Sequence, residues 1–334
     1  MSRKLATIRT IKDIQPIPDA DLIERIQIDG WWCVSKKGEF KVGDKCVYFE
    51  IDSLLPLVKQ FEFLASRGTK KMLCDGNEVE GYRLRTVKLR GQISQGLALP
   101  LSLFPEVDES MDDVTELLNV LLYEPPIPAC LAGDVEGAFP NFIPKTDEER
   151  VQNSQELLDT YRGRAFTLTE KLDGTSSTYF NYEGNFGVCG RNWQLKETKG
   201  NTYWEMAYKY DLMNLIPEGY AIQGEIIGEG IQKNKLKIKG HELRIFSVWV
   251  IENKKYLSNY ELFDFCDRYA LKHVPIINDT FILHHTIDEL LLMAEGKSQL
   301  CETTEREGIV FVVNTSGQKV SFKAISNNFL AGEK

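Results

Sequence analysis

Hydrophobic and polar residues alternate over short stretches in the first hundred residues of the chain. Such alternation is typical of strands that bury one face. Turn dipeptides, Asp29-Gly30 and Gly43-Asp44, separate neighbouring stretches. Residues 5–11 alternate, further strands are predicted at residues 22–28 and 31–34, and residues 46–51 form an apolar strand. Short strands at this spacing predict a small all-β barrel.

The pattern changes from residue 142 onward, where helical and strand periods mix. Strands are predicted at residues 165–170, 176–182, 220–228, 243–250, 307–313 and 319–324. Helices are predicted at residues 201–215, 259–271 and 287–295, and a further helix is predicted to start at Thr146, with Glu149 in the capping-box position. This mixture predicts an α+β domain whose antiparallel sheets surround a pocket.

An acidic segment separates the two patterns. Residues 101–160 hold 2 Lys+Arg against 14 Asp+Glu, whereas residues 1–100 hold 17 against 13. A short helix is predicted at residues 111–122, and prolines at 125, 126 and 128 follow it. We therefore expect a domain at residues 1–103, a linker at 104–130 and a second domain at 131–334.

The composition is that of a globular intracellular protein. With 334 residues the chain is long enough for two domains, and 43% of its residues are hydrophobic. No apolar run is long enough to span a membrane, so no membrane association is expected. The seven cysteines are scattered without a CxxC pair, which favours a reducing compartment, cytoplasmic or nuclear.

The net charge of −9 does not exclude nucleic-acid binding, because the first hundred residues are mildly basic. Residues 82–91 carry four basic side chains on a predicted strand, at positions 83, 85, 88 and 90. These could follow a phosphate backbone or simply form a solvated strand face. The OB-fold is the commonest small barrel that handles nucleic acid, so residues 1–103 are predicted to be an OB-fold domain.

A Lys-Leu-Asp-Gly sequence at residues 171–174 is the strongest candidate for chemistry. A lysine amine attacks phosphorus only when it is neutral, so Lys171 is expected to need a depressed pKa. Asp173 can hold a water of a bound Mg²⁺, and Gly174 permits a tight backbone approach. Asp-Gly is also a common surface turn, so this sequence proves little by itself.

Four further motifs follow in order along the chain. They are Gly-Arg-Asn at 190, Gln-Gly-Glu-Ile-Ile-Gly at 223, Glu-Gly-Ile-Val-Phe at 307 and Ser-Phe-Lys-Ala-Ile-Ser at 321. The series resembles that of ATP-dependent polynucleotide ligases and capping-type nucleotidyltransferases, and is most similar to the RNA ligase 5 family. The similarity extends to residues 143–153 and to the barrel, and so covers essentially the whole chain.

The resemblance implies an N-terminal OB-fold barrel and a C-terminal α+β nucleotidyltransferase domain of the ATP-grasp-like ligase and capping-enzyme type. It implies that Lys171 attacks the α-phosphate of ATP and forms lysyl-AMP. Asp173, Glu225 and Glu307 would hold waters of a catalytic Mg²⁺, for which Mn²⁺ could substitute. Glu225 could instead bind the ribose.

The same resemblance implies a set of nucleotide contacts. Phe246 would stack on adenine, although a core position is the ordinary interpretation of a phenylalanine in a strand. Ile309 or Val310 would cover the other face of the base, and Lys323 would neutralise the α-phosphate. The remaining implied contacts are Glu170, Arg191 at the nucleotide or the RNA end, Arg150 at the β- and γ-phosphates, and Lys145, which could also be a solvated residue.

The last motif departs from the family pattern. Related enzymes often carry two lysines separated by one residue, whereas Ser321 stands here two positions before Lys323. Lys319 shares the parity of Lys323 along the strand and could face the same side. The strength of the α-phosphate contacts is therefore open.

The resemblance implies an ATP-dependent RNA ligase that joins a 5′-phosphate to an RNA 3′-OH, at nicks or breaks, and acts as a monomer. A DNA ligase or an mRNA-capping nucleotidyltransferase is the alternative within the same class. Both usually place the OB domain after the catalytic motifs, whereas the barrel here precedes them. The alternative in another class is a non-catalytic nucleic-acid-binding protein, which would not need Lys171, Glu225 and Glu307.

Overall fold

The computed structural model describes residues 3–74, 77–124, 134–315 and 318–332. They fall into two compact units that divide after residue 128. The strands of the first unit are β1 (Ala6–Thr10), β2 (Asp13–Pro16), β3 (Ile23–Ile28), β4 (Trp31–Lys36), β5 (Lys45–Phe49), β6 (Ser53–Pro56), β7 (Lys70–Cys74), β8 (Asn77–Arg83), β9 (Val87–Leu89), β10 (Gln92–Ser94), β11 (Leu97–Pro100) and β12 (Leu121–Leu122).

The second unit mixes strands and helices. Its strands are β13 (Val135–Ala138), β14 (Glu149–Arg150), β15 (Ala165–Lys171), β16 (Thr175–Tyr182), β17 (Asn185–Cys189), β18 (Trp193–Leu195), β19 (Tyr220–Gly228), β20 (His241–Val250), β21 (Lys255–Tyr256), β22 (Ile276–Ile282), β23 (Gly308–Thr315) and β24 (Gln318–Ile325). Its α-helices are α1 (Gln155–Thr160), α2 (Thr202–Lys209), α3 (Leu212–Leu215), α4 (Asn259–Arg268), α5 (Ile287–Ala294) and α6 (Asn327–Gly332). No helix among the described residues is long and apolar enough to cross a membrane.

The first unit is built from short antiparallel sheets, in the orders β1-β5-β11, β2-β3-β4, β12-β6-β8-β7 and β10-β9. Strand β5 serves two buried clusters, because successive side chains point to opposite faces of a strand. Val47 and Phe49 belong to one cluster, and Cys46 and Tyr48 belong to the other. A strand that is apolar on both faces, as the sequence of residues 46–49 is, suits this position between two clusters.

The described part of the predicted linker, residues 104–124, packs against the first unit. Phe104, Val114 and Leu118 are buried in the same cluster as Phe49. Residues 111–120 form turns and a bridge rather than the predicted helix, because the segment is held by main-chain bonds to β1, such as Ile8 N–H to Asp112 O at 3.0 Å. Residues 125–130 lie outside the described residues.

Two sheets form the second unit. One has the order β13-β18-β17-β16-β19-β20-β21, and the other has the order β14-β24-β23-β15-β22. All their strand pairs are antiparallel except β14 with β24, which is parallel. Helices α2 and α4 pack on a core that includes Ile222 and Ile226 of β19, and α5 packs on a core that includes Leu168 of β15 and Phe311 of β23.

The helix predicted to start at Thr146 is wrong. Residues 149 and 150 form β14, a short 3-10 helix covers Val151–Asn153, and α1 begins only at Gln155. The Thr146 hydroxyl makes no helix cap but lies 2.9 Å from the Ser176 hydroxyl. Contacts with distant strands thus replace the local hydrogen bonds that the sequence pattern favoured.

Candidate active site

Lys171 is the last residue of β15 and lies opposite Gly308, the first residue of β23. This pairing brings Glu307, which directly precedes β23, beside the lysine. Lys171 Nζ donates a hydrogen bond of 2.6 Å to Glu307 Oε1. Two motifs that are 136 residues apart in the chain therefore meet through the register of one strand pair.

The pKa of Lys171 moves in the direction opposite to the one expected from the sequence. Burial lowers the pKa of this lysine, but the negative charges of Glu307, Glu225 and Asp173 together raise it above its ordinary value. Three neighbouring carboxyl groups therefore favour the protonated form of Lys171. Positive charge that neutralises these carboxylates would favour loss of the lysine proton.

Glu225 lies near the middle of β19, opposite Ser176 of β16 and Arg244 of β20. The pKa of Glu225 is raised to about 8, chiefly by burial; the charges of Glu307 and Asp173 also raise it, and the charge of Lys171 and the backbone N–H of Gly174 lower it. A Cβ atom at position 174 would lie 2.4 Å from Ile226 O, so this glycine permits close packing against β19.

Asp173 lies two residues after Lys171 and forms the third carboxylate of the group. Its Oδ2 atom is buried and receives no hydrogen bond from any residue that the structure describes, although Lys235 Nζ lies 3.1 Å away. Within the described ranges, no three His, Cys, Asp or Glu side chains are arranged to ligate a metal directly. Three carboxylates and an orphaned buried oxygen suit a divalent cation that keeps its waters.

The last motif lies on β24, which pairs with β23 so that Lys323 faces Val310 and Ser321 faces Val312. The pKa of Lys323 is lowered to about 8, first by burial and then by the charges of Lys171 and Arg150, against the opposite effect of Asp147 and Glu307. These shared charges show that the last motif lies beside the nucleophile.

Lys319 and Ser321 share one partner, Glu148. Lys319 Nζ lies 2.7 Å from Glu148 Oε1, and the Ser321 hydroxyl donates to Glu148 Oε2. Lys319 Nζ also lies 5.0 Å from the centre of the Tyr256 ring. Lys319 does face the same side as Lys323, but a carboxylate and an aromatic ring hold its ammonium group.

A β-bulge on β20 presents Phe246. Gln223 of β19 pairs with Ser247, and the next residue, Gly224, pairs with Ile245, so Phe246 has no opposite residue. A bulge of this kind re-aims a side chain. Phe246 is half-buried and packs against the apolar cluster that contains Leu172. Its predicted stacking on adenine stays a prediction.

Glu170 and Ile309 require a correction, because both side chains lie on the other face of the sheet from Lys171. Ile309 is 1% exposed and belongs to the core with α5. The buried Glu170 carboxylate accepts a 2.8 Å hydrogen bond from the backbone N–H of Gln299. Strand alternation places Val310, the other residue named for the base, on the face of Lys171.

The remaining predicted contacts are Lys145, Arg150 and Arg191. They lie in or beside residues 144–150, the segment that joins the two sheets. Arg191 Nη2 lies 2.8 Å and 3.0 Å from the two carboxylate oxygens of Asp147. Lys145 is exposed, and its Nζ donates to Asn192 Oδ1 at 3.4 Å. Arg150 of β14 pairs with Lys323 of β24. The structure thus brings Arg150 beside Lys323, whereas Arg191 and Lys145 lie at a more exposed position.

Sequence patterns did not point to Asp147, Glu148 or Lys235. Each acts on a predicted site residue through a contact between segments that are distant in the chain. The alternation of lysines at residues 233, 235, 237 and 239 was the only available signal for Lys235, and it carries no motif.

Comparisons with known families match both halves of the chain. A family model described as an OB-fold domain matches residues 5–101, and one described as RNA ligase matches residues 164–325. The predicted OB-fold barrel and the ligase-type second domain are thereby confirmed. A search of curated proteins found no significant match.

Solved structures of Naegleria gruberi RNA ligase resemble the chain along its length. A mutant apo form is 43% identical with a TM-score of 0.88, and the match covers 99% of this chain and 98% of the other. A form with PPi is 43% identical with a TM-score of 0.87 and 99% coverage of both chains. A mutant with ATP and Mn is 43% identical with a TM-score of 0.87 and 98% coverage of both. With such identity over nearly its whole length, the chain belongs to the RNA ligase family.

Proposed function

We propose that this RNA ligase uses ATP to join a 5′-phosphate to an RNA 3′-OH through lysyl-AMP and adenylylated RNA. The observation that carries the proposal is the position of Lys171, at the end of β15 and 2.6 Å from Glu307. Asp173 and Glu225 complete the group of carboxylates around the lysine. The Naegleria gruberi structures with ATP and Mn, and with AMP and Mn, support ATP and a divalent cation as cofactors.

In the first step, Lys171 Nζ forms a bond to the α-phosphorus of ATP, and the bond from that phosphorus to the bridging oxygen breaks. Pyrophosphate leaves with the electron pair. Glu307, which accepts the hydrogen bond from Lys171, is placed to take the ammonium proton. A bound divalent cation would offset the negative charge of the phosphates and the carboxylates. Asp173, Glu225 and Glu307 are the residues that would hold it, through its waters.

Side chains on both sheets would position the nucleotide. Lys323 supports the charge that develops on the α-phosphate, and Arg150 beside it binds the β- and γ-phosphates. Phe246 and Val310 cover the two faces of the adenine. Arg191 would exchange its contact with Asp147 for the nucleotide or the RNA end.

Two further phosphoryl transfers complete the reaction. An oxygen of the RNA 5′-phosphate attacks the phosphorus of lysyl-AMP, and the released Lys171 regains a proton. The 3′-OH of the adjoining RNA end then attacks the activated 5′-phosphate, and AMP leaves. All these steps are phosphoryl transfers, so positioning and electrostatics carry the catalysis.

The first unit would supply contacts to the nucleic acid. Arg83 is held by Asp52 at 3.0 Å and by the Tyr123 ring, so it serves the fold. Lys88 of β9 and Arg90 at the β9–β10 turn are exposed, as is residue 85. We propose that this hairpin follows the phosphate backbone of a nicked RNA duplex, and that one monomer acts on each nick, in the cytoplasm or nucleus.

Labelling with α-labelled nucleotides tests the reaction. Wild-type protein should become labelled by ATP, whereas Lys171→Ala should accept no label and should still seal a pre-adenylylated nick to a measurable extent. Lys209→Ala, at an exposed position of α2, is the matched control and should label normally. Label that persists in Lys171→Ala would refute the assignment of the nucleophile. Labelling by GTP instead of ATP would indicate the capping alternative.

The hairpin is tested by binding of nicked RNA duplex over a range of salt concentrations. The double variant Lys88→Ala/Arg90→Ala should bind more weakly and lower the slope of log affinity against log salt by about 2, since each phosphate contact contributes about 1. Adenylylation should not change. The double variant Lys70→Ala/Lys71→Ala removes the same charge from exposed positions of β7. Equal slopes in the two variants would remove the proposed role of the hairpin.

A further inference from the structure

Lys235 forms an ion pair with Asp173. The two charged atoms lie 3.1 Å apart, and the side chains of Lys235 and Asp173 are 28% and 15% exposed. The buried Asp173 Oδ2 nevertheless receives no hydrogen bond from the described residues, because the approach of the lysine lies outside hydrogen-bond geometry. The attraction is therefore one of charge alone, and the lone pairs of this oxygen remain available to a better donor.

The backbone that carries Lys235 is fixed. The Asn234 side chain donates to Ile238 O at 2.9 Å and accepts from Ile238 N–H at 3.0 Å, which closes the loop of residues 234–238. The Thr304 hydroxyl donates to Lys235 O at 2.7 Å. Only the four-carbon side chain of Lys235 is then able to move its ammonium group.

The same ammonium group also contacts an aromatic ring. Lys235 Nζ is 3.8 Å from the centre of the Phe329 ring, which is buried on α6. A cation at this distance from an aromatic face is attracted to the ring. Lys235 can therefore leave Asp173 and keep a favourable contact for its charge.

We propose that Lys235 is a positioning residue that competes with the catalytic divalent cation for Asp173 and so sets the affinity of the enzyme for that cation. The inference rests on the proposed function of Asp173 as a holder of metal-bound water. Water on a divalent cation is a strong hydrogen-bond donor, and it needs the same Oδ2 atom that Lys235 faces. Two positive charges near one carboxylate oxygen repel each other, so binding of the metal turns Lys235 toward Phe329.

A purely structural role predicts the opposite sign. If Lys235 merely held Asp173 in place, its removal would leave the carboxylate less ordered, and metal binding would weaken. If Lys235 competes, its removal tightens metal binding. The sign of the change therefore distinguishes the two roles.

Binding of Mn²⁺ provides a measurement that does not depend on turnover. Free Mn²⁺ is followed by electron paramagnetic resonance in the presence of the full-length protein and an ATP analogue with a methylene group between the α- and β-phosphates. Lys235→Met keeps the apolar length of the side chain and removes its charge. Its dissociation constant for Mn²⁺ should fall roughly twofold to fivefold, as expected for loss of one partly exposed ionic contact.

Two variants control for charge and packing. Lys237→Met removes the same charge from an exposed residue of the same loop, whose Nζ bonds to Thr303 Oγ1, and should leave Mn²⁺ affinity near that of the wild type. Lys235→Arg keeps the charge and should also bind Mn²⁺ as the wild type does. Unchanged or weaker binding by Lys235→Met, or an equal gain in Lys237→Met, would overturn the inference.

The Asp173→Asn variant separates this inference from the proposed function. Asp173→Asn should weaken Mn²⁺ binding, and Lys235→Met added to it should give no further tightening, because the competed oxygen is lost. If Asp173→Asn leaves Mn²⁺ affinity unchanged, the proposed role of Asp173 fails. If Asp173→Asn weakens binding while Lys235→Met has no effect, only the competition by Lys235 fails. Thermal unfolding of each variant confirms that the binding curves refer to folded protein.

Discussion

The two faces of the five-stranded sheet, β14-β24-β23-β15-β22, differ completely in what they do. The face toward α5 is apolar and closely packed, with Leu168, Ile309 and the stacked rings of Phe311 and Phe322. The other face carries the ammonium groups, among them Lys171. The same strands build both faces, because consecutive residues of a strand point to opposite sides.

This difference shows that a family motif does not assign a role to each of its residues. Glu170 and Lys171 are neighbours in the chain, yet the carboxylate of one accepts a hydrogen bond from the backbone of Gln299 and the other is the proposed nucleophile. Ile309 and Val310 are divided in the same way. A register shift of one residue would exchange the two faces, so core packing and catalysis constrain the same strand pairing.

Removing the ammonium group of Lys323 from the polar face should have the largest effect. Lys323→Ala should lower the single-turnover rate of adenylylation by about a hundredfold or more, since it deletes a charge that stabilises the transition state. Its free energy of unfolding should change little. A rate loss below about fivefold would show that Lys323 does not contact the α-phosphate.

A substitution on the apolar face should lower the stability of the protein. Ile309→Ala should lower the free energy of unfolding by about 2–4 kcal/mol, because it leaves a cavity against α5. Adenylylation well below the unfolding temperature should stay within about twofold of wild type. Denaturant titration measures the free energy of unfolding, and the rate of adenylylation is measured together with the KM for ATP. Val310→Ala is the matched variant on the other face and should mainly raise KM. A raised KM with unchanged stability in Ile309→Ala would restore this residue to the nucleotide site.

The smallest effect is expected at Lys319. Glu148 and the Tyr256 ring already hold its ammonium group, so Lys319→Ala should lower the adenylylation rate by less than about fivefold. Single-turnover rates of Lys319→Ala and Lys323→Ala, measured together, give the comparison. Severe and equal losses would mean that both lysines serve the α-phosphate.

Patterns within single segments were sufficient to predict the strands that carry the motifs, β15, β19, β23 and β24, but not β22, which pairs with β15. The motif series also predicted that Glu225 and Glu307 would lie beside Lys171, because each motif stands at or in a strand. The structure of the segment that begins at Thr146 could not be predicted from its pattern, since its residues bond to Ser176 and to the last strand instead of to each other.

Contacts between residues that are far apart in the chain could not be predicted from the hydrophobic and polar pattern of the sequence. The pair of Glu148 with Ser321 joins residues 173 apart, and no spacing rule indicates it. Lys235 belongs to the same class, because its position depends on a loop closed by Asn234 and on a ring at the far end of the chain. Tertiary contacts of this kind decide which of many surface lysines enters a site.

The segment of residues 144–150 fastens one sheet to the other. The Gln223 side chain donates to Pro144 O at 2.8 Å on one side, and Glu148 holds Lys319 and Ser321 on the other. Any movement of one sheet away from the other must stretch or break these bonds. The segment therefore resists separation of the two sheets, although it contributes only a two-residue strand to either of them.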